Sequence, residues 1–332
     1  MAGVRNEMRK FFIQKSYSFM KEGIIKKTDL SFPLMLNIEP TLACNLCCFM
    51  CPSHSRSLKQ YQKRKVGFMK WDLFISVIDE CQKEAKLLVL NMHKDGESTL
   101  HPRFPEMLAY AVKKNAAEVV HFNTNCVIPK KETIDAIIDS GVHDISMSID
   151  AFHPETFKKI KGRDALKEVV DNVHYFIKRR NSMGMKTPFI RAKMLGTKDI
   201  LGEFELFENY WKDYADEVQL QMMHDFAGAL DLGGEAKNRY PCVLPFYSTA
   251  INWDGKVTLC HRDFNEVDIF GDVNTDSLKN IFTSQKYMRY RDDLLTGNVG
   301  YMPVCAKCTN WQDSPDISNT LSGLMKGAPG KI

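Results

Sequence analysis

The sequence predicts an α/β protein, a partial (β/α)6 barrel of the TIM type followed by a small α+β domain. Three observations predict it. Six short apolar runs alternate with helix-like patterns between residues 34 and 223, and strands alternating with helices build parallel sheets with right-handed crossovers. Unusual polar clusters recur where these runs end, at Cys44 to Cys51, Lys94 to Glu97, Asn123 to Cys126, Ser148 to Asp150 and His224-Asp225. Ligands of such barrels gather at the C-terminal ends of the strands. After Gly233-Gly234 the pattern changes, and a second cysteine group appears.

The elements follow in order. Residues 1–33 read as a basic amphipathic helical extension ending at Pro33, where a docked terminal helix is the safer view. The predicted strands are 34–40, 85–92, 119–125, 143–150, 189–195 and 217–223, with helices at 71–84, 105–115, 131–140, 165–180 and 204–214 between them. Residues 248–260 form a hairpin around Trp253-Asp254-Gly255, since Asp-Gly is a turn signal. One helix covers 277–295 and the end, 327–332, reads as disordered. The domains expected are an extension at 1–33, a barrel at 34–235, a small domain at 236–312 and a tail at 313–332.

Composition excludes several classes. In 332 residues, 44% are hydrophobic and 26% charged, which suits a folded chain with a core and excludes a disordered or collagen-like one. Forty-five basic against 41 acidic residues give a net charge of +4, too little to argue for nucleic acid without a local basic stripe. No apolar run approaches the roughly 18 residues of a membrane helix, and residues 1–27 lack the apolar stretch of a signal peptide. A cytoplasmic location is expected, where thiols stay reduced and clustered cysteines bind metal or do redox chemistry.

There are ten cysteines. Four fall in eight residues, Cys44, Cys47, Cys48 and Cys51; Cys305-Ala-Lys-Cys308 is a CxxC pair, with Cys242 and Cys260 upstream. Cys44, Cys48 and Cys51 make a CxxxCxxC set, and three thiolates on one loop hold three irons of a [4Fe–4S] cube while leaving the fourth open. A structural zinc site usually takes four ligands from two separated pairs.

These residues resemble the radical S-adenosylmethionine (SAM) enzymes that end in a twitch domain, the short relative of the SPASM domain. The resemblance covers roughly residues 34–312. It is carried by the CxxxCxxC set, by Gly96-Glu97, by Asn123-Thr124-Asn125 and Ser148-Ile149-Asp150 at the next strand ends, and by Cys242, Gly255 to Cys260, Cys305 and Cys308. Met50 stands where an aromatic residue is usual, and Asp95 replaces the second glycine of the glycine-glutamate motif. No cysteine follows Cys308, so the back domain is similar to that of the butirosin aminocyclitol dehydrogenase group.

The resemblance implies SAM and two [4Fe–4S] clusters as cofactors, one cluster on Cys44, Cys48 and Cys51 and one auxiliary cluster on Cys242, Cys260, Cys305 and Cys308. It implies SAM contacts at Gly96, Glu97, Thr124, Asn125, Ser148 and Asp150. It also implies an electron donor such as flavodoxin or ferredoxin. Arg191 is a candidate for the SAM carboxylate, with a structural salt bridge as the equal alternative. The implied reaction is hydrogen-atom abstraction from a small hydroxylated molecule, ending in dehydrogenation or epimerisation at a secondary alcohol of a sugar-like or aminocyclitol substrate. Modification of a peptide and a non-catalytic iron–sulfur electron carrier are the alternatives.

Catalytic candidates are Cys126, as hydrogen-atom donor or as a packed thiol, and His224 with Asp225, as hydroxyl ligands or base or, for Asp225, as a loop cap. Cys81 reads as core and Cys47 as an outward thiol. Glu39 and His93 point to the same rim, and Lys158, Lys159 and Lys161 read as a solvated helix face.

Overall fold

The computed structural model describes residues 31–197, 200–230 and 242–309. The helical extension expected at 1–33, except its last three residues, the tail at 313–332 and the domain boundary near 235 lie outside them. The chain divides into two compact units. One comprises 37–223 with 251–255; the described residues of the other are 31–36, 224–230, 242–250 and 256–309.

The first unit is the partial barrel. Its strands are β1 (Met35–Ile38), β2 (Leu87–Asn91), β3 (Ala117–Thr124), β4 (Asp144–Ser148), β5 (Phe189–Gly196) and β6 (Glu217–Met222), in the order β6-β5-β4-β3-β2-β1. Strands β2 to β6 pair in parallel, with Asn91 beside His121, His121 beside Asp144, Ser148 beside Lys193 and Lys193 beside Gln219. The helices are α1 (Trp71–Glu84), α2 (Phe104–Lys113), α3 (Lys131–Asp139), α4 (Pro154–Lys161), α5 (Leu166–Ser182) and α6 (Phe204–Trp211).

Side chains alternate across each strand, and the two faces differ here in chemistry. Val120 and Phe122 of β3, Ile145 and Met147 of β4, and Ile190, Ala192 and Met194 of β5 are buried. They lie with the apolar stripes of the helices, Phe74, Val77 and Ile78 in α1, Phe104, Met107 and Leu108 in α2 and Ile134, Ile137 and Ile138 in α3; the Phe104 and Phe122 rings meet edge to face at 5.0 Å. The opposite face carries His121, Asn123, Asp144, Ser146, Arg191, Lys193 and Glu217. A parallel sheet normally has both faces covered by apolar layers, so a polar face marks this barrel interior as a place for a ligand.

In the second unit, α7 (Leu244–Tyr247) leads into β7 (Ser248–Ile251), which neighbours β8 (Lys256–Thr258), itself antiparallel to β9 (Ile269–Asp272). Here the sequence reading of one helix over 277–295 is corrected. Two helices occur, α8 (Leu278–Phe282) and α9 (Gln285–Thr296), because Ser277 Oγ accepts from Asn280 N and Ser284 Oγ accepts from Tyr287 N. Each serine caps a new helix start. Helix α4, foreseen only as the face carrying Lys158, Lys159 and Lys161 and given no range, has His153 before its Pro154 and ends at Gly162 at φ +71°.

Candidate active site

The front cysteine loop runs from β1 to α1 and is held at both ends by backbone hydrogen bonds. The Glu97 N–H donates to the Ala43 carbonyl at 2.8 Å. On the other side, Cys47 N–H donates to Lys161 O at 3.2 Å and Phe49 N–H to Ile160 O at 2.9 Å. Both junctions need glycine. A Cβ on Gly96 would stand 2.2 Å from the Thr41 carbonyl oxygen and 2.8 Å from that of Ala43. A Cβ on Gly162 would stand 2.5 Å from Cys47 Sγ, and its positive φ is a conformation that glycine takes at little cost.

The loop leaves Cys44, Cys48 and Cys51 free of disulfides and part-buried. Burial, then the Glu97 charge, pushes the Cys44 thiol up to about 12, and burial raises Cys48 and Cys51 as well, with Cys48 adding to the shifts of Cys44 and Cys51. A set of thiols that resist ionisation together suits a cationic centre, since metal binding supplies the countercharge that thiolates need. Among the described residues no three His, Cys, Asp or Glu side chains gather closely enough for a single ion. A four-iron cube makes a different demand, each thiolate binding a separate iron. Cys47 turns away, its Sγ 3.6 Å from the Gly162 carbonyl.

Glu97 is 2% exposed. Its carboxylate accepts from the Thr99 hydroxyl at 2.7 Å, the Thr124 hydroxyl at 2.9 Å and the Asn125 N–H at 2.7 Å. Burial raises its pKa against those hydrogen bonds. Thr124 Oγ1 also accepts from Cys126 N–H. Asn125 reaches the cysteine loop, donating to Asn45 Oδ1 at 2.9 Å and lying 3.9 Å from Cys44 Sγ. Ser148 ends β4 part-exposed, and Asp150 follows at φ +66°, ion-paired with Lys161. Gly96, Glu97, Thr124, Asn125 and Asp150 thus share one edge of one unit with the cysteine loop.

Several sequence expectations change here. Lys161 lies 4% exposed, inside the chain and not on a solvated face. Burial opposes its charge, but Asp150 and the thiols of Cys48 and Cys44 outweigh it and hold the ammonium above the ordinary lysine range. Arg191 takes the salt-bridge alternative, donating to Glu217 at 2.7 Å, Asp144 at 3.0 Å and Ser146 at 2.9 Å. Cys126 takes the packed alternative: it is 0% exposed at φ +60°, its thiol facing the Thr124 carbonyl and its own carbonyl accepting from Asn172. A hydrogen-atom donor must reach the substrate, and this thiol is enclosed. Glu39 is fully buried, with both oxygens on Arg64 and one also on Trp253 N–H, so it is a structural anchor of the rim. Cys81 is core.

The second unit holds the remaining candidates. Asp225 takes its loop-cap alternative, accepting from Ala227 N–H at 3.0 Å and Thr309 N–H at 3.0 Å. The His224 ring lies tilted against the Phe226 ring, 4.1 Å between centroids, and meets Arg262. Cys242, Cys260 and Cys308 are part-buried and Cys305 buried. Cys260 and Cys305 line a small pocket with Leu259, Met302 and Tyr290 and with the carboxylates Asp263 and Asp268. The residues present fit an iron–sulfur centre in chemistry, with four cysteines in one unit.

Lys193 is the residue that the sequence reading missed. The alternation in Phe-Ile-Arg-Ala-Lys-Met-Leu puts it on the polar face with Arg191, and that alternation was a usable signal.

Residues 38–187 match the radical SAM superfamily, and residues 242–309 match an iron–sulfur cluster-binding domain of the SPASM type. A tungsten-containing aldehyde ferredoxin oxidoreductase cofactor-modifying protein of Pyrococcus furiosus is 24% identical over 330 residues, covering 86% of this chain and 89% of the relative. The crystal structure of BtrN with AdoMet and 2-DOIA superposes with a TM-score of 0.57 at 15% identity, over 84% of this chain and 94% of that one. The structure of native anSMEcpe with AdoMet and the Cp18Cys peptide gives 0.60 at 15% identity, over 87% and 94%.

Proposed function

The chain is a radical SAM enzyme with a SPASM-type domain, its cofactors SAM and two [4Fe–4S] clusters, and we propose that it oxidises a secondary alcohol of a small hydroxylated molecule. When bound, these cofactors supply a 5′-deoxyadenosyl radical that removes a hydrogen atom and an outlet for one electron. The protein contributes binding, orientation and exclusion of competing reactions.

The observation that carries the reading is the polar face of the parallel sheet, whose strand ends carry the cysteine loop, Glu97 and Asp150. Cys44, Cys48 and Cys51 are assigned as ligands of the SAM-binding cluster, and Cys242, Cys260, Cys305 and Cys308 as ligands of the auxiliary one. In this reading the Glu97 carboxylate takes the SAM ammonium as a further charge-assisted hydrogen bond, and Gly96 lets its strand end approach the cysteine loop. Thr124 and Asn125 fix Glu97, and Ser148 and Asp150 face the nucleoside. Oxidation is favoured over epimerisation because Cys126 is enclosed and Cys81 is core, which leaves no thiol on the polar face among the described residues of this unit except those of the cysteine loop. Four cysteines for the auxiliary cluster leave none of its irons open to substrate. One electron must come from outside, from a donor of the flavodoxin or ferredoxin kind.

The test is an anaerobic incubation of reduced, reconstituted protein with SAM, read as 5′-deoxyadenosine, with Cys48→Ala beside it. Product from the unmutated chain alone is expected. A full iron load without product would overturn the reading and favour an electron carrier. With candidate polyols, a new carbonyl supports oxidation, whereas deuterium gained from deuterated water at an alcohol carbon of inverted configuration would show epimerisation.

A further inference from the structure

Among the described residues, the charges on the polar face of the sheet are paired with one exception. Glu39 is bound by Arg64, and Asp95 by Arg64 and Lys94. Asp144 is bound by His121 and Arg191, Glu217 by Arg191, and Asp150 by Lys161. Among the described residues, Lys193 is the cation of this face with no carboxylate in ion-pair reach. Its Nζ donates one long hydrogen bond, 3.4 Å, to the Asn123 amide oxygen, although an ammonium has three protons to place.

Lys193 is also in the right place. Its carbonyl accepts the Ile149 N–H at 3.1 Å and the Asp150 N–H at 3.0 Å, so β5 holds the strand end assigned to SAM. In register its neighbours are Ser148 and Gln219, both polar. Burial lowers its pKa despite the attraction of Asp150, the condition of a cation short of a counter-ion. A half-buried charge without a partner is costly in the free protein and gains when a ligand brings the opposite charge.

We propose that Lys193 anchors the substrate, and that the molecule bound on this face carries a carboxylate or phosphate group paired with its ammonium. This rests on the reading that the polar face takes the substrate, and it narrows that substrate from any polyol to an acidic one.

The experiment is limited acetylation of the full, anaerobically reconstituted chain with N-hydroxysuccinimidyl acetate, read at Lys193 by peptide mass spectrometry. It is run with inorganic phosphate, malonate, myo-inositol or chloride at matched ionic strength. Lys193 should be modified in the free protein. An anion at about ten times its dissociation constant should slow that modification roughly tenfold, and inositol and chloride should leave it unchanged. Protection by phosphate alone assigns a phosphorylated substrate, and by malonate alone a carboxylated one if it persists with SAM bound; malonate protection that SAM itself replaces overturns the proposal. Equal protection by chloride or inositol, protection by neither anion, or no modification of Lys193 overturns the proposal. As a second measurement, the anion that protects should raise the melting temperature of the unmutated chain and not that of Lys193→Met; an equal rise in both overturns it. Neither readout needs SAM cleavage, so failure here and failure to form 5′-deoxyadenosine are distinguishable.

Discussion

The Glu97 carboxylate, after β2, accepts the backbone N–H of Asn125, at the end of β3, at 2.7 Å. This bond ties two neighbouring strand ends and fixes the residue that reaches Cys44. Glu97→Ala would leave buried donors on Asn125 and Thr124, each costing about 1 to 3 kcal/mol when unpaired, and a part-buried one on Thr99. We therefore expect Glu97→Ala to lose several degrees of melting temperature. Glu97→Gln keeps the shape and loses the charge. If the carboxylate also holds an ammonium, the glutamine variant should stay near the parent melting temperature and bind SAM at least roughly tenfold more weakly, the scale of a charged hydrogen bond. Calorimetric titration with SAM on the reconstituted protein separates the two variants.

Gly96→Ala tests the junction between β2 and the cysteine loop. The added methyl would meet two backbone carbonyls, at 2.2 and 2.8 Å, and backbone cannot swing aside as a flexible side chain can. Overpacking of this kind costs about 1 to 3 kcal/mol, and the loop must shift to relieve it. The parent should carry about eight irons per chain, four for each cube. Gly96→Ala should fall toward about four, with loss confined to the SAM-binding cluster, while Cys242→Ala falls to about four by losing the other. An unchanged iron count in Gly96→Ala would show that the loop yields without cost.

What the sequence discloses here is what is local. The CxxxCxxC spacing, Gly96-Glu97 and the strand-helix alternation are each written within a few residues, so the barrel and the edge where its site lies are legible. Lys161 is not, because its burial depends on α4 ending against the cysteine loop, and three lysines in four positions resemble a solvated face. Arg191 and Cys126 carry chemically attractive side chains whose partners, Glu217 and Asn172, come from distant segments. The break between α8 and α9 was within reach, since Ser284 has the residue type of a cap.

Lys161 and Asp150 form a buried pair, 4% and 8% exposed. Removing one partner of such a pair strands the other and costs about 3 to 5 kcal/mol, whereas replacing both is often nearly neutral. Lys161→Met should therefore destabilise strongly, and Lys161→Met with Asp150→Asn should recover much of the loss. Anaerobic urea unfolding of both single variants and the double measures the coupling. Additive single effects would mean that the two charges do not depend on each other.

His93 makes the protein sensitive to acid. Burial, then the positive fields of His121 and Lys193, pushes its imidazole down to about 3, and among the described residues its Nδ1 is buried without a partner. The same ring in the unfolded chain takes a proton near 6.5. Between those values the unfolded chain binds the proton and the folded chain does not, so stability rises with pH through this window. The contribution is complete above about 6.5 and is lost as the pH falls toward about 3, with a slope of at most about 1.4 kcal/mol per pH unit. Burial also lowers His54, His101, His143 and His174, so the slope of the whole chain contains several imidazoles of the same sign. The difference between the parent and His93→Gln isolates one of them. Urea unfolding at about pH 7.5 and about pH 5.5 should show the parent losing more stability than the variant, by up to about 1.4 kcal/mol. Equal losses would mean that His93 takes its proton inside the folded barrel, with a carboxylate of the polar face turned to receive it.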